Sequence, residues 1–181
     1  MTAPAGGPSS PTGRAWTPIL RPGLDVVFVG FNPSPAAAAA GHYYAHPRNG
    51  FWKLLAEAGI IPVRLRPEED VRLPEFGCGL TDVVGRPTPS ARDLCLKELR
   101  EGGAAVRGRL AAASPRFAAY TGKGVYAAVA GRGHPDYGLQ PGAVLPGVRD
   151  FVLPSPSGRS GLRWSEKLHW YRTLAGLLGR G

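Results

Sequence analysis

Two stretches hold the side chains whose types and spacing could do chemistry. In the first, Gly30-Phe31-Asn32-Pro33-Ser34 follows the apolar run Val26-Val27-Phe28-Val29, and Tyr43-Tyr44 and His46-Pro47-Arg48-Asn49-Gly50-Phe51-Trp52 come shortly after. A primary amide both donates and accepts hydrogen bonds, and aromatic rings offer flat faces for stacking. An amide at the abrupt end of a buried strand, with rings close behind, therefore reads as a cleft for a flat, polar ligand. The second stretch is Val152-Leu153-Pro154-Ser155-Pro156-Ser157-Gly158-Arg159-Ser160, small and polar with one guanidinium.

Other chemistries fit less well. Gly122-Lys123-Gly124 lacks the full phosphate-loop pattern, and Ala127 stands where the third glycine of a dinucleotide fingerprint would be. It reads as a strand-to-helix turn whose N–H groups and Lys123 can meet a phosphate. Ser155 and Ser157 are not set in a G-x-S-x-G elbow. His42, His46, His134 and His169 lack the close pairing of a metal-binding helix. His42 and His46 fit better as partners of loop backbone.

The elements that must position these groups alternate. Strands are expected over residues 25–29, 79–84, 116–121 and 149–153. Helices are expected over 49–58, 91–113 (with Ser90 as cap), 125–130 and 162–178, with a short acidic helical piece at Glu68-Glu69-Asp70. The Arg86-Pro87-Thr88-Pro89-Ser90 stretch must be loop, since proline breaks helices and central strands. Continuous apolar strands between helices predict a three-layer α/β/α sandwich around a central, mostly parallel four-stranded sheet. Ligands of such folds bind beyond the carboxyl ends of the strands. Both principal stretches follow strands directly, as do the Thr88 loop and Gly122-Lys123-Gly124, so the four loops are expected to build one site.

The chain has 181 residues, enough for a single domain with a real core. Residues 1–17, rich in Ala, Gly, Pro, Ser and Thr, read as a disordered tail ahead of a domain spanning 18–181. Twenty-two Lys and Arg against 13 Asp and Glu give a net charge of +9, which favours a polyanionic partner. From Gly158 onward Arg159, Arg163, Lys167, Arg172 and Arg180 face only Glu166 in sequence, so the excess is expected beside the second stretch. Cys78 and Cys95 are too few for a thiolate cluster or a Cys-rich zinc site and read as small buried hydrophobes. The sequence shows no signal-peptide pattern and no membrane-length apolar run, so a cytoplasmic protein without a membrane partner is expected.

Taken together, Gly30-Phe31-Asn32-Pro33, then Tyr44-Ala45-His46-Pro47-Arg48-Asn49 and Phe51-Trp52-Lys53, resemble the first motif of the mismatch-specific uracil-DNA glycosylases, which include the thymine-DNA glycosylases. Gly79-Leu80-Thr81-Asp82 with Arg86-Pro87-Thr88, and Leu153-Pro154 with Pro156-Ser157-Gly158, resemble the middle and final motifs in the same order. The resemblance spans roughly residues 25–175.

It implies an enzyme that flips uracil out of duplex DNA and hydrolyses its N-glycosidic bond, leaving an abasic site. Asn32 would match the amide that positions the attacking water, orienting it rather than deprotonating it. Tyr44 would stack on the base, and backbone N–H groups around Phe31 and Tyr44 would meet its oxygens. Asp93 is a candidate carboxylate to assist the water; equally it reads as a first-turn acid favoured by the helix dipole. Asp82, in a strand-end Thr-Asp pair, reads as a residue that fixes the neighbouring loop. Lys123, Ser155, Ser157, Gly158, Arg159 and Ser160 would hold the DNA. Relatives commonly carry Asn in place of Ser155 and an apolar wedge in place of Arg159. Arg159 would then stack at the gap and bond the orphaned base, or neutralise a phosphate.

The expectation is a monomeric, monofunctional repair hydrolase for uracil in G:U mismatches, with a range open to other damaged or mismatched bases, and with no metal or cofactor. A glycosylase for hypoxanthine or another deaminated purine, and a non-catalytic module that captures uracil or abasic DNA, stand as alternatives.

Overall fold

The computed structural model describes residues 16–133 and 135–180. The sequence segment 1–15 of the expected tail, and His134, lie outside them. Five strands, β1 (Val26–Gly30), β2 (Cys78–Asp82), β3 (Phe117–Tyr120), β4 (Gly138–Leu139) and β5 (Arg149–Val152), form one sheet in the order β2-β1-β3-β5-β4. The four expected strands are the parallel ones. The fifth, β4, pairs antiparallel with β5 at the edge. It lies within residues 131–147, outside every expected strand and helix, because two residues beginning with a left-handed glycine (φ 100°) carry no strand pattern.

The parallel strands are buried on both faces, and the pleat divides their side chains between two cores. Val26 and Phe28 of β1 pack with Leu54, Leu55, Tyr171 and Leu174, from helices α2 (Phe51–Glu57) and α5 (Trp164–Leu177). Val27 and Val29 pack with Val106, Leu110, Val125 and Val129, from α3 (Leu96–Ala113) and α4 (Lys123–Ala130). This is the three-layer α/β/α arrangement that alternating strands and helices imply. No helix among the described residues is long and apolar enough to cross a membrane.

One short helix lies between the expected elements, and two of those elements change. Residues 35–40, a run of proline and alanines without polar contrast, form the short helix α1 (Pro35–Ala40), started by Ser34 Oγ accepting the Ala37 N–H. The helix expected over 91–113 is broken. Ser90 caps only a 3-10 turn, Ala91–Asp93, and an extended Leu94 precedes a second start at Cys95. Asp93 accepts the Ser90 N–H and Glu98 the Cys95 N–H, so two successive acid caps make two separate starts. Cys95 is consequently exposed rather than a core hydrophobe, while Cys78 is buried as expected. The acidic piece belongs to a longer 3-10 helix, Pro67–Phe76, which buries Asp70 and Leu73.

Candidate active site

The loops after β1, β2, β3 and β5 leave the same edge of the sheet, because these strands run parallel. Asn32 lies just beyond β1. Its Nδ2 donates to the Arg86 carbonyl at 2.8 Å and to Thr88 Oγ1 at 2.7 Å. Thr88 is buried and passes its own hydroxyl proton to the Ser90 carbonyl at 2.7 Å. With both amide protons committed, the acceptor oxygen is the remaining hydrogen-bonding capacity of the Asn32 side chain. The proline loop thus fixes which end of the amide is available.

Phe31 closes against α4, where a Cβ at Gly124 would meet its ring at 2.8 Å. Its carbonyl accepts the Val84 N–H at 2.8 Å. Among the described residues no protein acceptor takes the N–H of Phe31 or of Tyr44.

Tyr44 is half-buried, with its ring stacked on Phe51 (centroids 3.9 Å apart, planes at 20°) and its hydroxyl 3.4 Å from Thr121 Oγ1. Its backbone is left-handed, φ 55°, which is unusual for a bulky residue. Gly30 makes room beneath it. A Cβ there would meet the Tyr44 hydroxyl at 3.0 Å and Asp82 Oδ1 closer still. Asp82, Gly30 and Thr121 therefore form a row across the strand ends, and Tyr44 lies over it. Burial pushes the Asp82 carboxyl up to about 7, although Trp16 Nε1 donates to its Oδ2 at 3.0 Å and Arg109 lies nearby. A carboxyl that is neutral below that pH can donate a hydrogen bond as well as accept one. Burial and the Asp82 carboxylate together push the Tyr44 phenol far up, so it stays a neutral donor.

The loop after β5 is built against the first motif. Gly50 N–H donates to the Pro156 carbonyl at 2.9 Å, and Asn49 bridges to Ser157. Gly158 is required by this approach, since a Cβ would come within 2.8 Å of the Arg48 carbonyl oxygen. Inside the loop, Ser155 Oγ accepts the Ser157 N–H, Ser157 Oγ accepts the Arg159 N–H, and Ser160 Oγ donates to the Ser155 carbonyl. Lys167, buried in α5, donates to the Ser157 carbonyl at 2.7 Å, and its ammonium pKa is lowered by desolvation. Arg159 crosses to the proline loop and donates to the Pro89 carbonyl at 2.9 Å.

The structure thus brings Asn32, Thr88, Arg159 and the serine loop into one connected set. Phe31 adjoins Asn32 in the loop after β1, and Tyr44, in the connection between α1 and α2, reaches the strand ends with its hydroxyl near Thr121. Asp93 enters the set indirectly: its exposed carboxylate accepts the Ser90 N–H at 3.0 Å. Lys123 is exposed at the start of α4, over the Tyr137 ring and 3.8 Å from Asp136. His46 Nδ1 accepts the Arg48 N–H, a loop-backbone role. Among the described residues no group of three or more His, Cys, Asp or Glu could hold a metal ion. Sequence reasoning missed Trp16 and Thr121 as parts of this region. Only Asp82, in a strand-end Thr-Asp pair, gave a signal, and it was read as a loop-fixing group.

The mostly parallel sheet between helices, with Asn32, Tyr44 and a serine-glycine-arginine loop at its carboxyl edge, makes this an α/β protein whose candidate site lies at the strand ends. Residues 17–175 match the Uracil DNA glycosylase superfamily, and the chain belongs to that family. As a member it is a hydrolase of the DNA-glycosylase kind, with DNA as its partner. The fold is also similar to the solution NMR structure of a candidate uracil DNA glycosylase from Methanosarcina acetivorans. The TM-score is 0.61 at 21% identity, and the match covers 88% of this chain and 96% of that one.

Proposed function

We propose that the protein is a monofunctional, mismatch-directed uracil-DNA glycosylase that acts as a monomer on duplex DNA in the cytoplasm. The observation that carries this reading is the fixed amide of Asn32, held by Arg86 and Thr88 so that its oxygen is the group left to engage a water. An amide is too weak a base to take a proton early. It suits a dissociative reaction, in which the glycosidic bond opens to an oxocarbenium-like sugar before water adds. The extruded uracil would lie on the face of Tyr44 opposite Phe51, and stacking of this kind contributes about 1–3 kcal/mol. The uncommitted N–H groups of Phe31 and Tyr44 would meet the uracil oxygens and stabilise the departing anion. Water then adds at C1′, its proton passes to solvent or the departing base, and an abasic site remains.

Hydrolysis rather than lysine chemistry is supported by the four lysines. Lys53 lies over Trp164, Lys97 pairs with Glu101, Lys123 lies over Tyr137, and Lys167 is bonded to Ser157. Lys123, Arg159 and the loop formed by Ser155, Ser157, Gly158 and Ser160 would grip the strand around the extruded nucleotide.

The test is base release from a duplex carrying one uracil opposite guanine, beside duplexes carrying thymine or hypoxanthine. Uracil should be released, and Asn32→Ala should slow single-turnover release by roughly 10²–10³-fold while duplex affinity stays unchanged. Release of hypoxanthine without uracil would transfer the assignment to deaminated purines. No release from any duplex would leave a binding module.

A further inference from the structure

The base-stacking residue Tyr44 follows one that is held from every side. The Tyr43 N–H donates to Asp70 Oδ2 at 3.0 Å, and the Tyr43 carbonyl accepts from Trp52 Nε1 at 3.0 Å. Its ring packs on Trp16 with centroids 4.5 Å apart. The other Asp70 oxygen lies 3.3 Å from His42 Nδ1. Asp70 is fully buried and comes from the 3-10 helix Pro67–Phe76, an element outside the site. A carboxylate removed from water is costly unless hydrogen-bonded, and this one is directed at the peptide that sets the turn. The next residue has the left-handed φ of 55°, a conformation that persists in a bulky residue only where its surroundings impose it.

We propose that Asp70 is a positioning residue for base capture: its carboxylate on the Tyr43 N–H, with Trp52 on the Tyr43 carbonyl, clamps the two peptide groups that flank Tyr43 and so holds Tyr44 in the left-handed conformation that places its ring over the strand ends. The clamp rests on the reading of Tyr44 as the base-stacking residue. It separates two tasks in adjacent tyrosines, Tyr43 as anchor and Tyr44 as the stacking platform. It also gives Asp70 a specific signature: loss of the clamp weakens capture of the base and leaves the DNA-gripping loop unaffected.

The experiment compares wild type, Asp70→Ala and Asp70→Asn, well below each melting temperature. Asn keeps an acceptor oxygen for the Tyr43 N–H, whereas Ala does not. Asp70→Ala should slow single-turnover uracil release by roughly 10–100-fold and weaken inhibition by free uracil, with affinity for undamaged duplex within about twofold of wild type. Asp70→Asn should restore release to within a few-fold. A merely structural role would lower the melting temperature and leave the ratio of base capture to duplex binding unchanged, and that result overturns the proposal.

The backbone NMR shifts of Tyr44 report its φ without any reaction. They should leave the left-handed range in Asp70→Ala and stay in it in Asp70→Asn. Unmoved shifts in Asp70→Ala overturn the clamp even if wild type is active. Moved shifts with an inactive wild type support the clamp and place the fault in the glycosylase reading. If Asp70→Ala does not fold, Trp52→Phe removes the opposite hydrogen bond and keeps most of the ring. It should show the same selective loss, and unchanged capture and shifts in it overturn the proposal.

Discussion

Burial moves the Asp82 carboxyl from an ordinary value of 3.8 up to about 7, and the Trp16 indole and Arg109 only partly offset the desolvation. The folded state therefore holds a proton that the unfolded chain has already released between those two values. Stability contributed by this group is intact below about pH 4, falls as pH rises through the window, and is lost above about pH 7. Asp82→Asn keeps an oxygen to accept the Trp16 N–H and removes the charge. The variant should gain stability over wild type with rising pH, reaching a few kcal/mol at pH 8, or roughly 5–10 °C in Tm. Below about pH 4 the difference should be small. Thermal melts of both proteins across this range check it, and a Tm difference independent of pH would show that Asp82 titrates as an ordinary surface acid.

Between residues and sheet, the proline loop is the element that sets the geometry of Asn32. Asp93 accepts from the Ser90 N–H, the Ser90 carbonyl accepts from Thr88, and Thr88 accepts from Asn32. A helix-start acid can thereby affect the reaction without touching substrate. Thr88→Val removes a direct partner of the amide and should lower single-turnover release by about 10–100-fold. Asp93→Ala removes one cap, typically about 1 kcal/mol, and should lower release only several-fold, with duplex affinity constant in both. Equal losses would argue that Asp93 acts at the water itself. The loop was legible in the sequence because its prolines allow nothing else, and the parallel strands because continuous apolar runs have few other uses. The split before α3 was not, since the apolar residues Leu94, Leu96 and Leu99 run on with no proline or glycine between them and only the paired acid caps mark the break. The Asp70 clamp was not legible either. Its partner lies 27 residues away, and no periodicity connects a 3-10 helix to a turn.

Across the whole molecule, the cations gathered at the end of the sequence do not gather in space. Arg180 donates to Asp25 and to the Ile60 carbonyl, at the amino-terminal edge of the sheet away from the loops. Arg163 pairs with Glu166, and Lys167 is buried beneath Ser157. Of the five, Arg159 alone is placed within the loop that abuts the first motif. A net charge of +9 therefore overstates the charge available to DNA at the cleft. The salt dependence of binding measures this directly, because each phosphate neutralised steepens the slope of log K against log salt by about 0.9. Arg159→Leu should reduce that slope by about one if it meets phosphate, with preference for the mismatched duplex retained. If Arg159 instead enters the gap and bonds the orphaned base, the slope should hold and the opposite-guanine preference should fall. Arg172→Ala, in the half of α5 that runs away from the loops, should leave both unchanged. Fluorescence anisotropy between about 50 and 200 mM salt resolves slopes of this size. A slope lowered equally by Arg159→Leu and Arg172→Ala would mean that the duplex is held by diffuse charge over the whole surface rather than by loops at one sheet edge.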